Sequence, residues 1–223
     1  MLKKWIDEIR KQSDLYKSNC WKYHISGNVI ELSILPDYMK QKKTYRCSVI
    51  SVGQVLKALS KKIEKENLNF HIQSFSNLEN PEIVATIRTD EKNEFTGNSS
   101  LKEKSYDSKQ DVASLTQTIA KKYKLEVQEV EATSQLNLEE ISTENYPRWI
   151  AVYSTFNNPF TWLNIGYFKE SLRNEFAGLP SSQKSCFLDF CDAKANEFPS
   201  LKIPESKYVQ LLIGIQPISV SVE

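Results

Sequence analysis

Apolar residues recur along the chain with two different periods, and the switches between them lay out its elements. Trp5, Ile6, Ile9 and Tyr16 fall at near-helical spacing, which predicts an N-terminal helix over residues 2–17. Trp21, Tyr23 and Ile25 then alternate with Lys22, His24 and Ser26, and apolar character resumes at Val29, Ile30, Leu32 and Ile34 after the turn signal Ser26-Gly27-Asn28. This is a β-hairpin pattern, with His24 on its polar side as a solvated strand residue. Pro36 ends the hairpin, and Lys40 to Lys43 reads as a solvated basic connector. Val52, Val55, Leu56, Leu59 and Ile63 mark one face of a helix expected from about Ser48 to Lys65. Strands are expected around Phe70 to Phe75 and over Ile83 to Ile87.

The same alternation continues in the second half. Val112, Leu115, Ile119 and Tyr123 place a helix over Asp111 to Lys124, and Leu125, Val127 and Val130 lead into a strand. A short helix is expected over Asn137 to Ser142 and a buried strand over Trp149 to Tyr153. A helix from Pro159 to Ala177 is stopped by Gly178 and Pro180, and a further helix is expected from about Ser182 to Glu197. A strand at Tyr208 to Ile215 closes the chain. Residues 89–110 are polar, rich in Ser, Lys, Asn and Asp, and read as a mobile surface loop.

Two of these helices echo each other. Ile50 to Leu59 can be laid over Leu163 to Leu172, so that Gly53 meets Gly166, Val52 meets Ile165, Val55 meets Phe168 and Leu59 meets Leu172. Two related halves, 19–90 and 147–223, are the reading this suggests. Chance likeness between amphipathic helices is the alternative. If the halves are real, the Gly53 and Gly166 helices cross inside one chain as an internal pseudo-dimer; a homodimer is the other arrangement considered.

Totals narrow the function classes. At 223 residues the chain buries one sizeable core, so 1–223 is read as a single α+β domain. Lys plus Arg (29) nearly balances Asp plus Glu (28), which gives no global field for nucleic acid. No stretch approaches the roughly 20 apolar residues a membrane helix needs. Cys20, Cys47, Cys186 and Cys191 form no CxxC pair, and the spacing of the last two fits a buried helix face. With His24 and His71 as the only histidines, no metal site is expected. The expectation is a soluble, cytoplasmic protein that binds neither nucleic acid nor membrane.

Direct chemical signatures are few. The chain lacks GxGxxG, a Walker loop, HExxH and GxSxG, and no catalytic residues can be assigned. Glu139-Glu140 and Glu129-Glu131 read as solvent-facing carboxylates, and Cys20 and Cys47 as small buried residues. Gly178-Leu179-Pro180-Ser181-Ser182 has two readings. It is either a plain connection with an N-cap serine, or a helix start whose N–H groups and hydroxyls bind an anion. Trp149, Tyr153, Phe156, Phe160 and Trp162 wall a planar ring or fill a core junction.

Asn19-Cys20-Trp21-Lys22-Tyr23, the hairpin through Gly27 to Leu32, and Arg46-x-x-x-Ile50-Ser51-x-Gly53 resemble the opening of the Acg-type nitroreductase-like proteins. Tyr153-Ser154-Thr155, Trp162-Leu163-x-x-Gly166, Ala177-Gly178-Leu179 with Ser181-Ser182-Gln183, and Leu211-Leu212-Ile213-Gly214 are similar to the later elements of nitroreductases. The likeness is patchy and covers about three quarters of the chain. It implies the nitroreductase-like α+β fold, with helices on a mostly antiparallel sheet, and FMN as cofactor. Lys17-Ser18-Asn19-Cys20-Trp21 stands where the family has Asn-Thr-Gln-Pro-Trp. By this resemblance Lys17, Ser18 and Asn19 would hold the flavin together with Gly178, Ser181 and Ser182. Asn19 would take the place of the usual Gln with a shorter reach, and Lys17 would act as a point charge without bidentate geometry. The implied function is an FMN-dependent oxidoreductase acting on a small organic acceptor. A non-catalytic descendant that serves as a binding or protein-interaction module is the alternative.

Overall fold

The computed structural model describes residues 1–12, 16–77, 80–90, 112–131, 146, 148–177, 185–190, 193–198 and 201–215. The chain divides into two compact units, Met1–Tyr106 with Trp162–Glu170, and Asp107–Thr161 with Ser171–Glu223.

In the first unit, α1 (Leu2–Arg10) buries Leu2, Trp5, Ile6 and Ile9 on one face. α1 itself ends at Arg10; residues 13–15 of the expected helix lie outside the described residues, and Tyr16 beyond them is helical. Strands β1 (Trp21–Ser26) and β2 (Val29–Ile34) pair antiparallel from Trp21↔Ile34 to Ser26↔Val29. Their two-residue loop turns on Gly27, whose φ of 58° suits the tight hairpin turns that need a left-handed residue. Pro36–Met39 forms a 3₁₀ turn, and α2 (Lys42–Lys65) follows. The helix starts at Lys42 rather than Ser48, so the last two residues of the expected basic connector are its first turn. Strands β3 (Asn69–Ser74) and β4 (Ile83–Asp90) complete a sheet of order β1-β2-β4-β3. β4 extends to Asp90, past the expected end at Ile87.

One face of this sheet carries Trp21, Ile30, Leu32, Ala85 and Ile87, all buried, and α2 packs on β2, β3 and β4. Each large apolar side chain buried there contributes about 1.5–3 kcal/mol. The other face is polar. His24, Glu31, Thr86 and Gln73 form one cross-strand row, and Arg88 and His71 pair in the next. Both histidines are exposed.

The second unit repeats the order of elements. α3 (Val112–Lys122) buries Val112, Leu115, Ile119 and Ala120 and packs on β5 (Glu126–Glu131). β6 (Arg148–Ser154), α4 (Pro159–Phe176, whose stretch Trp162–Glu170 belongs to the first unit), β7 (Ser185–Asp189) and β8 (Tyr208–Ile215) follow, the strands in a sheet of order β5-β6-β8-β7. The helix expected over Ser182 to Glu197 is not what forms. Residues 185–189 are the strand β7, hydrogen-bonded to β8, and only Ala195–Glu197 turn helically, as a 3₁₀ turn. Cys186 therefore lies on a strand. The expected helix over Asn137 to Ser142, Cys191, and residues 91–110 of the expected loop lie outside the described residues.

Residues 193–198 and 201–203 pack over one face of this sheet. Ala193, Ala195, Leu201 and Ile203 join Val130, Trp149, Ala151, Val209 and Leu212 in one buried cluster. Val209 N donates to Ala193 O at 2.9 Å, and Ala195 N to Lys207 O at 3.0 Å. Ile150, Val152, Leu211 and Ile213, which point to the opposite face, are buried too.

Candidate functional site: the elbow before the first strand

The residues that the resemblance assigns to a flavin begin at the turn from Tyr16 to Trp21. Its backbone is tied from several sides. Trp21 Nε1 donates to Tyr16 O at 2.9 Å, Cys20 N to Lys17 O at 3.0 Å, and Leu35 N to Cys20 O at 3.0 Å. Cys20 Sγ also donates to Lys17 O, at 2.9 Å. Lys17 takes a left-handed φ of 44°, an uncommon conformation for a residue with a Cβ. Below the turn, Tyr16 is buried and its hydroxyl donates to Glu170 Oε1 at 3.0 Å.

The result is an elbow with buried anchors at Tyr16, Cys20 and Trp21. Lys17 and Asn19 are exposed and Ser18 is half-buried. Ser18 and Asn19 form no side-chain hydrogen bond among the described residues. Gly178, Ser181 and Ser182 lie outside the described residues.

Cys20 is buried, which disfavours the thiolate. Burial pushes its thiol pKa up, while hydrogen bonding with Ser48 and Ser51 only partly opposes this. Cys47 is partly exposed on α2. Glu129 is held by Arg148, with an N–O distance of 2.7 Å. Among the described residues no three His, Cys, Asp or Glu side chains gather to hold a metal. No helix among them is long and apolar enough to cross a membrane.

The other residues that carry the resemblance build the frame. Arg46, Ile50, Ser51 and Gly53 are all buried along α2. Ser51 Oγ donates to Cys47 O at 3.0 Å, back into its own helix. A Cβ on Gly53 would collide with Leu163 O and stand 3.0 Å from Gly166 Cα; one on Gly166 would collide with Ile50 O and stand 2.7 Å from Gly53 Cα. The two glycines therefore let α2 and the middle of α4 cross backbone against backbone. Tyr45 closes the crossing edge-on against Trp162, with ring centroids 6.0 Å apart. Farther on, Ser154 Oγ donates to Phe156 O at 2.8 Å and accepts from Gln210 Nε2 at 3.0 Å.

The aromatic set divides. Trp149 and Trp162 are buried, Tyr153 is half-buried, and Phe156 and Phe160 are exposed. Sequence reasoning passed over the buried Tyr16–Glu170 pair. Its signal lay in the stripe Leu163, Gly166, Glu170, where a carboxylate occupies a core position of the helical period.

No protein-family model matches the chain, and no curated protein matches it.

Proposed function

We propose that the protein is a nitroreductase-like, FMN-binding oxidoreductase acting on a small organic acceptor, with the Lys17–Asn19 elbow as part of its flavin site. The observation that carries this reading is the division of labour in the elbow. Tyr16, Cys20 and Trp21 are tied down, while the half-buried Ser18 and the exposed Asn19 make no side-chain hydrogen bonds among the described residues. Rigid backbone with uncommitted polar side chains is what orienting a ligand requires. In this reading Asn19 hydrogen-bonds the flavin edge, Ser18 adds a second polar contact, and Lys17 supplies a point charge toward the phosphate. Bound flavin would accept and pass on hydride, while the protein contributes orientation and electrostatics. That division of work fits a chain whose thiol and buried carboxylate serve the fold.

The test is a titration with FMN, following quenching of flavin fluorescence. Saturable quenching is expected, and Asn19→Ala should weaken it by about tenfold, the usual worth of one hydrogen bond. Absence of quenching at high micromolar FMN would overturn the proposal. A second reading, a protein-interaction module, is favoured by Phe156 and Phe160, which are 66% and 57% exposed. The turn that carries Phe156 is braced by Ser154 and Gln210, and rigid exposed aromatics are a common feature of binding hot spots.

A further inference from the structure

Each sheet has two edge strands, and β3 differs from the others in composition. The edges are β1 and β3 in the first sheet, and β5 and β7 in the second. A strand edge presents unpaired N–H and C=O groups, and proteins discourage pairing there with charged side chains, proline or bulges. β1 carries Lys22, β5 carries Glu126, Glu129 and Glu131, and β7 carries Asp189. β3 reads Asn-Phe-His-Ile-Gln-Ser over Asn69–Ser74, without Lys, Arg, Asp, Glu or Pro. It pairs with β4 in unbroken register from Asn69↔Asp90 to Ser74↔Ala85, so no bulge turns it aside.

The β3–β4 ladder fixes which backbone groups are open. Phe75 N donates to Val84 O at 2.7 Å, one step past the last pair of the register. Hydrogen-bonding direction alternates along a strand, so Asn69, His71 and Gln73 also turn their N–H and C=O toward β4. Phe70, Ile72 and Ser74 turn theirs to the free edge. The partner strand agrees: Thr89, opposite Phe70, donates its N–H to Asn28 O at 3.0 Å, away from β3. Among the described residues no strand lies beside this edge, and Phe70, Ile72 and Ser74 make no hydrogen bond across it. Phe70 and Ile72 are half-buried, and Ile72 stands opposite the buried Ile87 on the face that α2 covers. Asn69, His71 and Gln73 are exposed on the other face.

We infer that this edge receives β3 of a second copy of the chain, antiparallel about a twofold axis at Ile72, so that two chains join through one continuous sheet. Self-pairing sets a strand against its own sequence, and like charges brought opposite each other are destabilising. β3 alone of the four edges has no acidic or basic charge to repel its copy. The open groups choose the register. With the axis at Ile72, Phe70 faces the partner's Ser74, Ile72 faces the partner's Ile72, and every outward N–H and C=O on both strands gains a partner. With the axis at His71, Ser74 would fall opposite the partner's Leu68, and the Leu68 N–H already donates to Ile63 O at 3.2 Å within its own chain. With the axis at Gln73, Phe70 would fall opposite the partner's Ser76, beyond the left-handed residue Phe75 (φ 51°) that ends the strand. The inner face then sets Phe70 and Ile72 of each copy side by side, and the outer face sets His71 opposite the partner's Gln73. One strand edge is a small interface, so the dimer is reversible and concentration-dependent. The inference is independent of the flavin reading, because it uses none of the elbow residues.

The experiment is sedimentation velocity on the full chain from low to high micromolar concentration. The wild type should pass reversibly from monomer to dimer over that range. His71→Lys combined with Gln73→Lys sets like charges opposite each other on both sides of the axis and should weaken the dimer about tenfold. His71→Glu combined with Gln73→Lys sets opposite charges there and should dimerise at least as tightly as the wild type. Both combinations change exposed side chains, so the fold is retained. Ile72→Pro removes an N–H that β4 does not use and should leave the chain monomeric at every concentration. If that variant does not fold, the two charge variants decide. A wild type that stays monomeric throughout overturns the inference. So does a dimer that the like-charged variant leaves as tight, that the oppositely charged variant loses, or that a folded Ile72→Pro chain still forms.

Discussion

The two sheets share one strand order and differ in how much of their two faces is buried. In the first, β1 and β3 alternate between buried or half-buried and exposed positions, and the polar row His24, Glu31, Thr86, Gln73 stands on the outer face. In the second, β8 is buried at every position from Val209 to Ile215, and β6 from Trp149 to Val152. The chain between β7 and β8 accounts for the difference. The corresponding connection in the first unit runs from Phe75 to Glu82 and leaves the sheet open, whereas residues 193–198 and 201–203 fold back over the second sheet. The same topology thus serves a one-sided and a two-sided sheet, and the strand sequences follow: NFHIQS alternates, YVQLLIGI is nearly continuous.

Substitution on equivalent faces is the strongest test of that contrast. Leu212→Ala removes a fully buried side chain from the covered face and should cost about 2–5 kcal/mol of unfolding free energy. Gln73→Ala, on the open face of β3, should change stability by no more than about 0.5 kcal/mol. Urea unfolding measures both. Similar losses for the two variants would show that the open face of the first sheet is not the solvated surface described.

The next largest effect is expected where the two long helices meet. Gly166→Ala places a methyl group into Ile50 O and Gly53 Cα, which are backbone atoms that cannot swing aside. About 1–3 kcal/mol of destabilisation is expected, with α2 and α4 forced apart locally. Gly27→Ala is the useful control, because a Cβ there meets nothing within 4 Å and the cost is confined to its left-handed φ. If Gly166→Ala unfolds at the wild-type urea concentration, the close crossing is wrong.

Much of this was legible in the sequence, for reasons that can be named. The β1–β2 hairpin announced itself through strict alternation around a glycine turn, and the Gly53–Gly166 pairing through the echo between two helices. β7 was not legible. Ser185-Cys186-Phe187-Leu188-Asp189 is a short apolar run whose period suits helix and strand equally, and its hydrogen bonds to β8 decide the matter. The start of α2 was missed because Lys42, Lys43 and Thr44 look like loop, and Gln41 offers no side-chain cap to mark the boundary. In the candidate site, the polar side chains of the elbow were readable from the resemblance. The internal ties that hold it were not, since Tyr16 and Glu170 are 154 residues apart in the chain.

The smallest effect concerns an ion pair that has a counterpart of different construction in the second unit. Lys62 of α2 bonds Glu8 of α1 at 2.7 Å, so it joins two helices across the surface. Lys207, ahead of β8, bonds Glu126 of β5 at 2.6 Å and also Thr155 at 2.9 Å. The hydrogen bond from Lys62 holds the Glu8 carboxyl below its ordinary value of 4.5, with lesser help from the charges of Lys62, Lys4 and Lys11. A carboxylate whose pKa falls on folding stabilises the folded state above its unfolded pKa. That contribution disappears as pH drops through the lower folded value. The pair should therefore act fully at neutral pH and fade below the ordinary carboxyl pKa, and salt should weaken it because both groups are substantially exposed. Glu8→Gln removes the titration while keeping the side chain's shape. Its deficit in urea midpoint against wild type should be small at about pH 7 and should disappear in acid, once the pH has fallen below the lowered folded-state value. A deficit that stays constant between those two conditions would assign the effect to packing of Glu8 rather than to its charge.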